Sequence, residues 1–227
     1  MNQTVRAVVF AKLPEKGRVK TRLGETVGND SAASLYGAWV PPFLESLCEL
    51  SPELSVEVCL EGPPANGSAS KDDHLQEARK WLDFPVEWGL QEGDDLSARL
   101  RNAFDRQFDD GWHSAFAIST DSPHLSHADI LENVRLLETH EVVLGPTEDG
   151  GYYLVGLNQK PGDLFDTVRW STRDTLEDTR SAAEERGRSV ALGPRSYDID
   201  TRADLERFLR ENRGERWKTV HQRSNGI

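Results

Sequence analysis

Short apolar runs alternate along the chain with longer amphipathic stretches. That alternation predicts a mostly parallel sheet with helices on both faces, in a single α/β domain. Strands are expected at 6–11 (RAVVFA), 55–60, 86–90, 115–119 (AFAIS), 142–144, 152–157 and 189–192. Helices are expected at 31–50, 72–81, 96–108, 128–139, 172–186 and 203–213. The first helix carries Pro41-Pro42 and should kink or split there, because proline lacks the N–H and crowds the preceding turn. Residues 61–70 (EGPPANGSAS) read as a low-complexity loop. Residues 216–227 are polar and expected to be loose, so the domain is expected to span 1–215 and the tail 216–227.

Composition narrows the partners. The formal net charge of −12 over 227 residues disfavours nucleic-acid backbones and anionic membranes. It also makes any local basic cluster informative. The two cysteines, Cys48 and Cys59, lack zinc spacing and read as buried thiols in a reducing compartment. The chain runs from Met1 straight into an apolar strand pattern, with no leader-like segment and no membrane-length apolar run. A soluble cytoplasmic protein without membrane insertion is expected.

Five segments could carry chemistry. Residues 12–23 (KLPEKGRVKTRL) hold five cations around Gly17 just after the first strand. Ligands of open α/β sheets bind at the carboxyl ends of strands, where such a loop suits a phosphate chain. It matches neither the Walker loop nor G-x-G-x-x-G, and a solvated charged loop is the plain alternative. Asp121 follows the buried run 115–119 and either holds a divalent ion against phosphates or caps a turn before Ser122-Pro123. His124 and His127 behind it, spaced i and i+3, either belong to a hydrolytic metal site or, the reading preferred, are surface or capping residues. In 147–153 (TEDGGYY), Glu148 and Asp149 precede Gly150 and Gly151, either as an ordinary turn or as a close approach to a sugar or acceptor. Thr201 and Asp204 form a capping-box pattern that leaves Asp198 and Asp200 unexplained, a plausible second half of a metal site. Residues 91–99 (QEGDDLSAR) read as a loop capping a helix. No G-x-S-x-G elbow supports nucleophilic hydrolysis.

Taken in order, K-x-P-x-x-G-x-V-K-T-R-L, T-D-x-P, V-L-G-P-x-E-D-G-G-Y-Y-L and D-I-D-T resemble the selenodomain-associated transferases. Some members of that group are called arsenosugar-biosynthesis glycosyltransferases. They are similar to the nucleotide-diphospho-sugar transferase superfamily, with its Rossmann-like glycosyltransferase-A fold. The resemblance covers 6–209 and implies specific roles. Lys12, Lys20 and Arg22, around Gly17, would contact nucleotide phosphates. Asp121 and Asp200, with Asp198 beside them, would hold Mg2+ or Mn2+, and Asp121 and Asp149 would be catalytic. Glu148, Gly150 and Gly151 would line the sugar or acceptor pocket, and Gln91, Asp95 and Arg99 match a polar loop of that group. Departures at Ser119, Ser122, His124, Asp94 and Ser97 bear on acceptor choice. The resemblance implies a metal-dependent transferase taking a nucleotide-sugar donor and a small-molecule acceptor. The alternatives are a nucleotidyltransferase that joins a nucleoside triphosphate to a phosphorylated small molecule, and a non-catalytic nucleotide- or sugar-binding protein.

Overall fold

The computed structural model describes residues 4–63 and 70–225. Its strands are β1 (Val5–Ala11), β2 (Leu54–Leu60), β3 (Glu87–Leu90), β4 (Ala115–Ser119), β5 (Val142–Pro146), β6 (Tyr152–Leu157) and β7 (Val190–Leu192). They form one sheet in the order β3-β2-β1-β4-β6-β5-β7. Only β6 runs antiparallel, to both β4 and β5. The carboxyl ends of the other six strands therefore share one edge. The expected mostly parallel α/β sheet is the observed one.

Period-two alternation divides the core between the two faces. On β1, Val5, Ala7, Val9 and Ala11 join a large cluster built around α2 (Asn29–Cys48), while Val8 faces Ala103 of α4 (Leu96–Asp109). On β4, Phe116 and Ile118 join the first cluster, and Ala115 and Ala117 join a second one that includes Leu100 and Phe104 of α4. The remaining helices are α1 (Thr21–Val27), α3 (Lys71–Trp81), α5 (His127–Leu137), α6 (Thr175–Glu185), α7 (Arg202–Glu211) and α8 (Lys218–Ser224). Ser70–Asp73, Ser126–Asp129 and Thr201–Asp204 are reciprocal capping boxes at α3, α5 and α7. The pattern expected at Thr201 is therefore real.

Three expectations are corrected. The helix expected to kink or split at Pro41-Pro42 is not split and runs as one element, α2. Pro41 cannot donate to the carbonyl of Gly37, but the indole of Trp81 does so at 3.1 Å. Burial of Trp39, Val40, Phe43 and Leu44 offsets the rest of the cost. The tail is not loose through 224. Trp217 and Val220 are buried, and Arg216 and Arg223 donate to the carbonyls of Pro42 and Ser34, which docks α8 on α2. Of the two thiols, Cys59 is buried but Cys48 is only half-buried. The loop expected at 61–70 lies in part, at 64–69, outside the described residues. Among the described residues, no helix is long and apolar enough to cross a membrane.

Candidate active site at the carboxyl edge of the sheet

The loop after β1 ends in Lys20, which has left-handed backbone angles (φ 47°, ψ 46°) and caps α1. That conformation is uncommon for a residue with a Cβ. Its ammonium lies 2.5 Å from Asp121 Oδ1 and 2.9 Å from Asp200 Oδ1. Asp121 follows β4 and Asp200 precedes α7, so two segments far apart in the chain meet on one buried cation. Arg22, in the first turn of α1, reaches the other oxygen of Asp200 at 3.3 Å. The backbone fixes the arrangement, because Ile199 N–H donates to Asp121 C=O at 2.9 Å. Asp198 completes the group, with its Oδ1 2.6 Å from Ser122 Oγ.

Electrostatics follow from the crowding. Burial opposes the charge of Lys20, but Asp121, Asp200 and Asp198 together outweigh it and hold the lysine above its ordinary value. Burial, then the neighbouring Asp121 charge, pushes Asp198 up to about 7. Burial works against Asp200 as well, yet Lys20 and then Arg22 keep it below the usual carboxylate range.

A second charge cluster sits across β1. Glu61, directly after β2, accepts ion pairs from Lys12 at 3.5 Å, Arg18 at 3.3 Å and Arg99 at 2.9 Å. Desolvation resists, but these three cations hold its carboxyl below the ordinary value. Arg18 also pairs with Glu15 at 2.6 Å, so three cations on two carboxylates leave an excess of one positive charge, while two cations among three aspartates leave a deficit. The two clusters are tied through α2. Tyr36 Oη accepts from Lys12 N–H at 3.1 Å and lies 2.9 Å from Thr120 Oγ1, and the Trp39 indole donates to Thr120 C=O at 3.1 Å.

The turn between β5 and β6 forms a third feature. Asp149 Oδ1 accepts from Thr147 Oγ1 at 2.6 Å and from Gly151 N–H at 3.1 Å. Glu148 is held by both oxygens on Arg207, at 3.0 and 2.9 Å. Gly150 has φ 93°, and a Cβ there would stand 2.1 Å from the Arg173 carbonyl oxygen. Its glycine is therefore required by contact with the backbone at Arg173. A cavity of about 490 Å3 opens here, lined by Glu148, Asp149, Gly150, Arg173 and Arg195 among others.

The structure thus gathers Lys20, Arg22, Asp121, Asp198 and Asp200 into one centre, Lys12 and Arg99 into the Glu61 cluster, and Glu148, Asp149 and Gly150 onto the adjacent cavity. Gly17 has φ 74° in the turn before Lys20, and a Cβ on Gly151 would stand 3.2 Å from Thr147 Oγ1. Gln91 and Asp95 have structural bonds. The Gln91 amide donates to the carbonyls of Cys59 and Ala11, tying strand ends, and Asp95 caps α4 through Ala98 N–H at 2.8 Å. His124 is not the surface or capping residue expected: its ring packs on Tyr197 with Nε2 3.1 Å from Ser196 Oγ, while His127 faces Glu49, so the two do not share a partner. Sequence reasoning missed Glu61 and Tyr36, and gave Thr120 and Ser122, which lie in the T-D-x-P segment, no part in holding the centre. Glu61 carried a usable signal, an acid directly after a strand like Asp121. Tyr36 and Trp39, spaced i and i+3 on an apolar helix, read only as core.

Mg2+ and Mn2+ prefer oxygen ligands and commonly take one or two carboxylates, with the rest of the shell from waters and substrate phosphates. Asp121 and Asp200 on a shared ammonium, beside the crowded Asp198, fit that donor chemistry. Among the described residues, no set of three or more His, Cys, Asp or Glu side chains is arranged to close around a metal unaided. The fit is therefore to an ion held jointly with a ligand.

A structure from Desulfovibrio desulfuricans G20, assigned provisionally as a nucleotide-diphospho-sugar transferase, is 29% identical and superimposes with a TM-score of 0.86, over 98% of this chain and 96% of that one. A 4-diphosphocytidyl-2C-methyl-D-erythritol synthase of Anaerococcus prevotii DSM 20548 is 11% identical, with a TM-score of 0.55 over 90% and 95%. A Mycobacterium tuberculosis H37Rv protein solved with manganese is 14% identical, with a TM-score of 0.53 over 92% and 99%. The last two likenesses concern the fold. No curated protein sequence matches the chain. Residues 48–172, which hold Glu61, Asp121 and the 147–151 turn, match the family model described as "Uncharacterized protein conserved in bacteria (DUF2064)", and the chain belongs to that family.

Proposed function

We propose that the protein is a metal-dependent transferase that takes a nucleotide-sugar donor and moves the glycosyl group to a small acceptor. The observation that carries the reading is the meeting of Asp121 and Asp200 on Lys20 at the carboxyl edge of the sheet. The Desulfovibrio likeness and the resemblance of the KTRL, TDxP and EDGGYYL segments to the selenodomain-associated transferases support it.

Lys12, Arg18 and Arg99 contribute the excess positive charge that a diphosphate needs, with Glu61 keeping them positioned before the donor arrives. Lys20 and Arg22 are placed to exchange their aspartate partners for phosphate oxygens. Asp121 and Asp200, with Asp198 in reserve, would hold Mg2+ or Mn2+. When bound, the ion would neutralise charge building on the departing diphosphate. The 147–151 turn bounds the acceptor side, and Asp149 Oδ2 is available to an acceptor hydroxyl while Oδ1 holds the turn. The two free thiols support a reducing, cytoplasmic setting.

The experiment is a panel of nucleoside triphosphates and nucleotide-sugars, read first as thermal stabilisation with and without Mg2+. Products are then identified by mass spectrometry. Metal-dependent stabilisation by a nucleotide-sugar and release of a nucleoside diphosphate are expected. Pyrophosphate release from a triphosphate would replace glycosyl by nucleotidyl transfer. Binding with no turnover of any donor would leave a binding protein.

A further inference from the structure

Beside the aspartate centre, the cavity bounded by the 147–151 turn and residues 193–195 carries two guanidinium groups, Arg173 and Arg195. In an acidic chain most arginines near the surface are matched with carboxylates. These two are not. Among the described residues Arg173 has no hydrogen bond or ion pair, and Arg195 reaches only the Glu148 carbonyl, at 3.5 Å. Neither acid of the same cavity pairs with them. Glu148 is committed to Arg207 by both oxygens, and Asp149 Oδ1 closes its own turn. The lining is formally neutral, two arginines against Glu148 and Asp149, and the two guanidinium groups stay unpaired with either carboxylate.

Both arginines stand on fixed backbone. The Arg173 segment is clamped against Gly150, whose C=O accepts from Leu176 N–H at 3.0 Å. The Arg195 segment is held on both sides, by Gly193 N–H on Leu144 C=O at 2.9 Å and Ser196 N–H on Pro146 C=O at 2.9 Å. That same segment continues directly into Asp198 and Asp200. The cavity is thus joined by one short stretch of chain to the aspartates proposed to hold the metal. A volume of about 490 Å3 matches a small metabolite rather than a polymer.

We propose that this cavity is the acceptor subsite and that the acceptor carries a phosphate monoester, gripped by the paired forks of Arg173 and Arg195. Two guanidiniums with no carboxylate partners match a phosphate's several oxygens and charge. Naming the ligand as the acceptor rests on the transferase reading. The anion site itself does not.

The test is a titration of the metal-free, nucleotide-free protein with inorganic phosphate, at ionic strength held constant with chloride, followed by 1H–15N NMR. Saturable shifts are expected at the Gly150 and Gly193 amides and at the Arg173 and Arg195 Nε–H groups. Arg173→Gln and Arg195→Gln should each weaken phosphate about tenfold, and Arg→Lys at either position should not restore it, because an ammonium lacks the planar fork. Asp200→Asn should leave this phosphate affinity unchanged. Loss of transfer activity in that variant bears on the proposed function alone. The inference is overturned by shifts that do not saturate, by the same shifts in chloride, by saturation confined to residues 12–23, or by wild-type affinity in both glutamine variants.

Discussion

Lys20 and Asp121 form an ion pair whose two members see different surroundings: the lysine side chain is 4% exposed and the aspartate 43%. The cation is the buried partner and the anion faces the cleft. A divalent ion binding Asp121 and Asp200 has to compete with this resident ammonium. The nucleotide is the natural agent of exchange, since its phosphates can take Lys20 and Arg22 as the aspartates take the metal.

Lys20→Met tests that competition. The variant leaves three aspartates facing one another with only Arg22 nearby. Without metal its stability should fall by roughly 2 kcal/mol, less than for a fully buried pair because Asp121 is open to water. Millimolar Mn2+ should restore it. Mn2+ binding to the nucleotide-free protein, followed by the loss of its free-ion EPR signal, should tighten at least tenfold over wild type. Nucleotide affinity should move the other way, by about 1–3 kcal/mol, with a similar loss in Arg22→Ala. Equal Mn2+ affinity in wild type and variant would show that the lysine does not hold the cation position.

Asp121→Asn and Asp200→Asn should each abolish Mg2+-dependent nucleotide binding, measured calorimetrically. The double variant should be little worse than either single one, because both oxygens serve one ion. A purely structural account makes Asp121 a turn residue and Asp200 a helix cap. The cap of α7 is Thr201, so that account already lacks its second half. It would survive only if both Asn variants bound nucleotide and Mg2+ like wild type.

Much of this was legible in the sequence, and the parts that were not have identifiable physical causes. β4 and β6 are clean apolar runs between turn residues, and their bounds at 115–119 and 152–157 were readable directly. Asp121 and Asp200 stood out as strand-end and pre-helix acids. The continuity of α2 through Pro41 depends on an indole donated from Trp81, forty residues further on, which no local pattern encodes. The docking of α8 was hidden because two buried residues, Trp217 and Val220, sit in an otherwise polar stretch. The left-handed Lys20 gave no signal, since that conformation is usually marked by glycine or asparagine. The Glu61 cluster needs two cations from the loop after β1 and one from α4 to meet an acid at the end of β2, a convergence only the tertiary fold makes.

Asp149→Asn separates turn-holding from chemistry. The asparagine carbonyl can still accept from Thr147 Oγ1 and Gly151 N–H, so the melting temperature should stay within a degree or two of wild type, about 0.5 kcal/mol. The charge available to an acceptor hydroxyl is lost, and kcat should fall about a hundredfold with donor affinity unchanged. Wild-type turnover, or a marked drop in melting temperature with specific activity retained, would make Asp149 a turn residue only.

His124 should write a signature into the pH dependence of stability. Its ring stacks on Tyr197 at 4.0 Å between centroids, its Nε2 lies 3.1 Å from Ser196 Oγ, and its Nδ1 is buried without a partner among the described residues. Burial first, with Glu211 and Asp129 opposing and Arg207 assisting, pushes its value down to about 4 from an ordinary 6.5. The folded state thus holds the neutral ring while the unfolded chain takes up a proton. Stability from His124 is intact above pH 6.5 and is lost as pH falls toward 4, by on the order of 1–3 kcal/mol. Asp198 acts in the opposite sense over an overlapping window. Its carboxyl, pushed up to about 7, binds a proton in the folded state before the unfolded chain does, so stability rises as pH falls from 7. The wild-type profile is then the near-cancellation of two slopes, and the informative quantity is the difference between variants. Above pH 6.5 the urea midpoint of His124→Phe should lie below that of wild type, because Phe forfeits the Ser196 hydrogen bond; below pH 6.5 the two should converge, because only the histidine loses stability as the unfolded chain takes up a proton. His124→Phe alone should show stability increasing from pH 7 to 5, the Asp198 contribution uncovered. Parallel profiles for the two proteins across that range would mean that His124 stays protonatable in the fold.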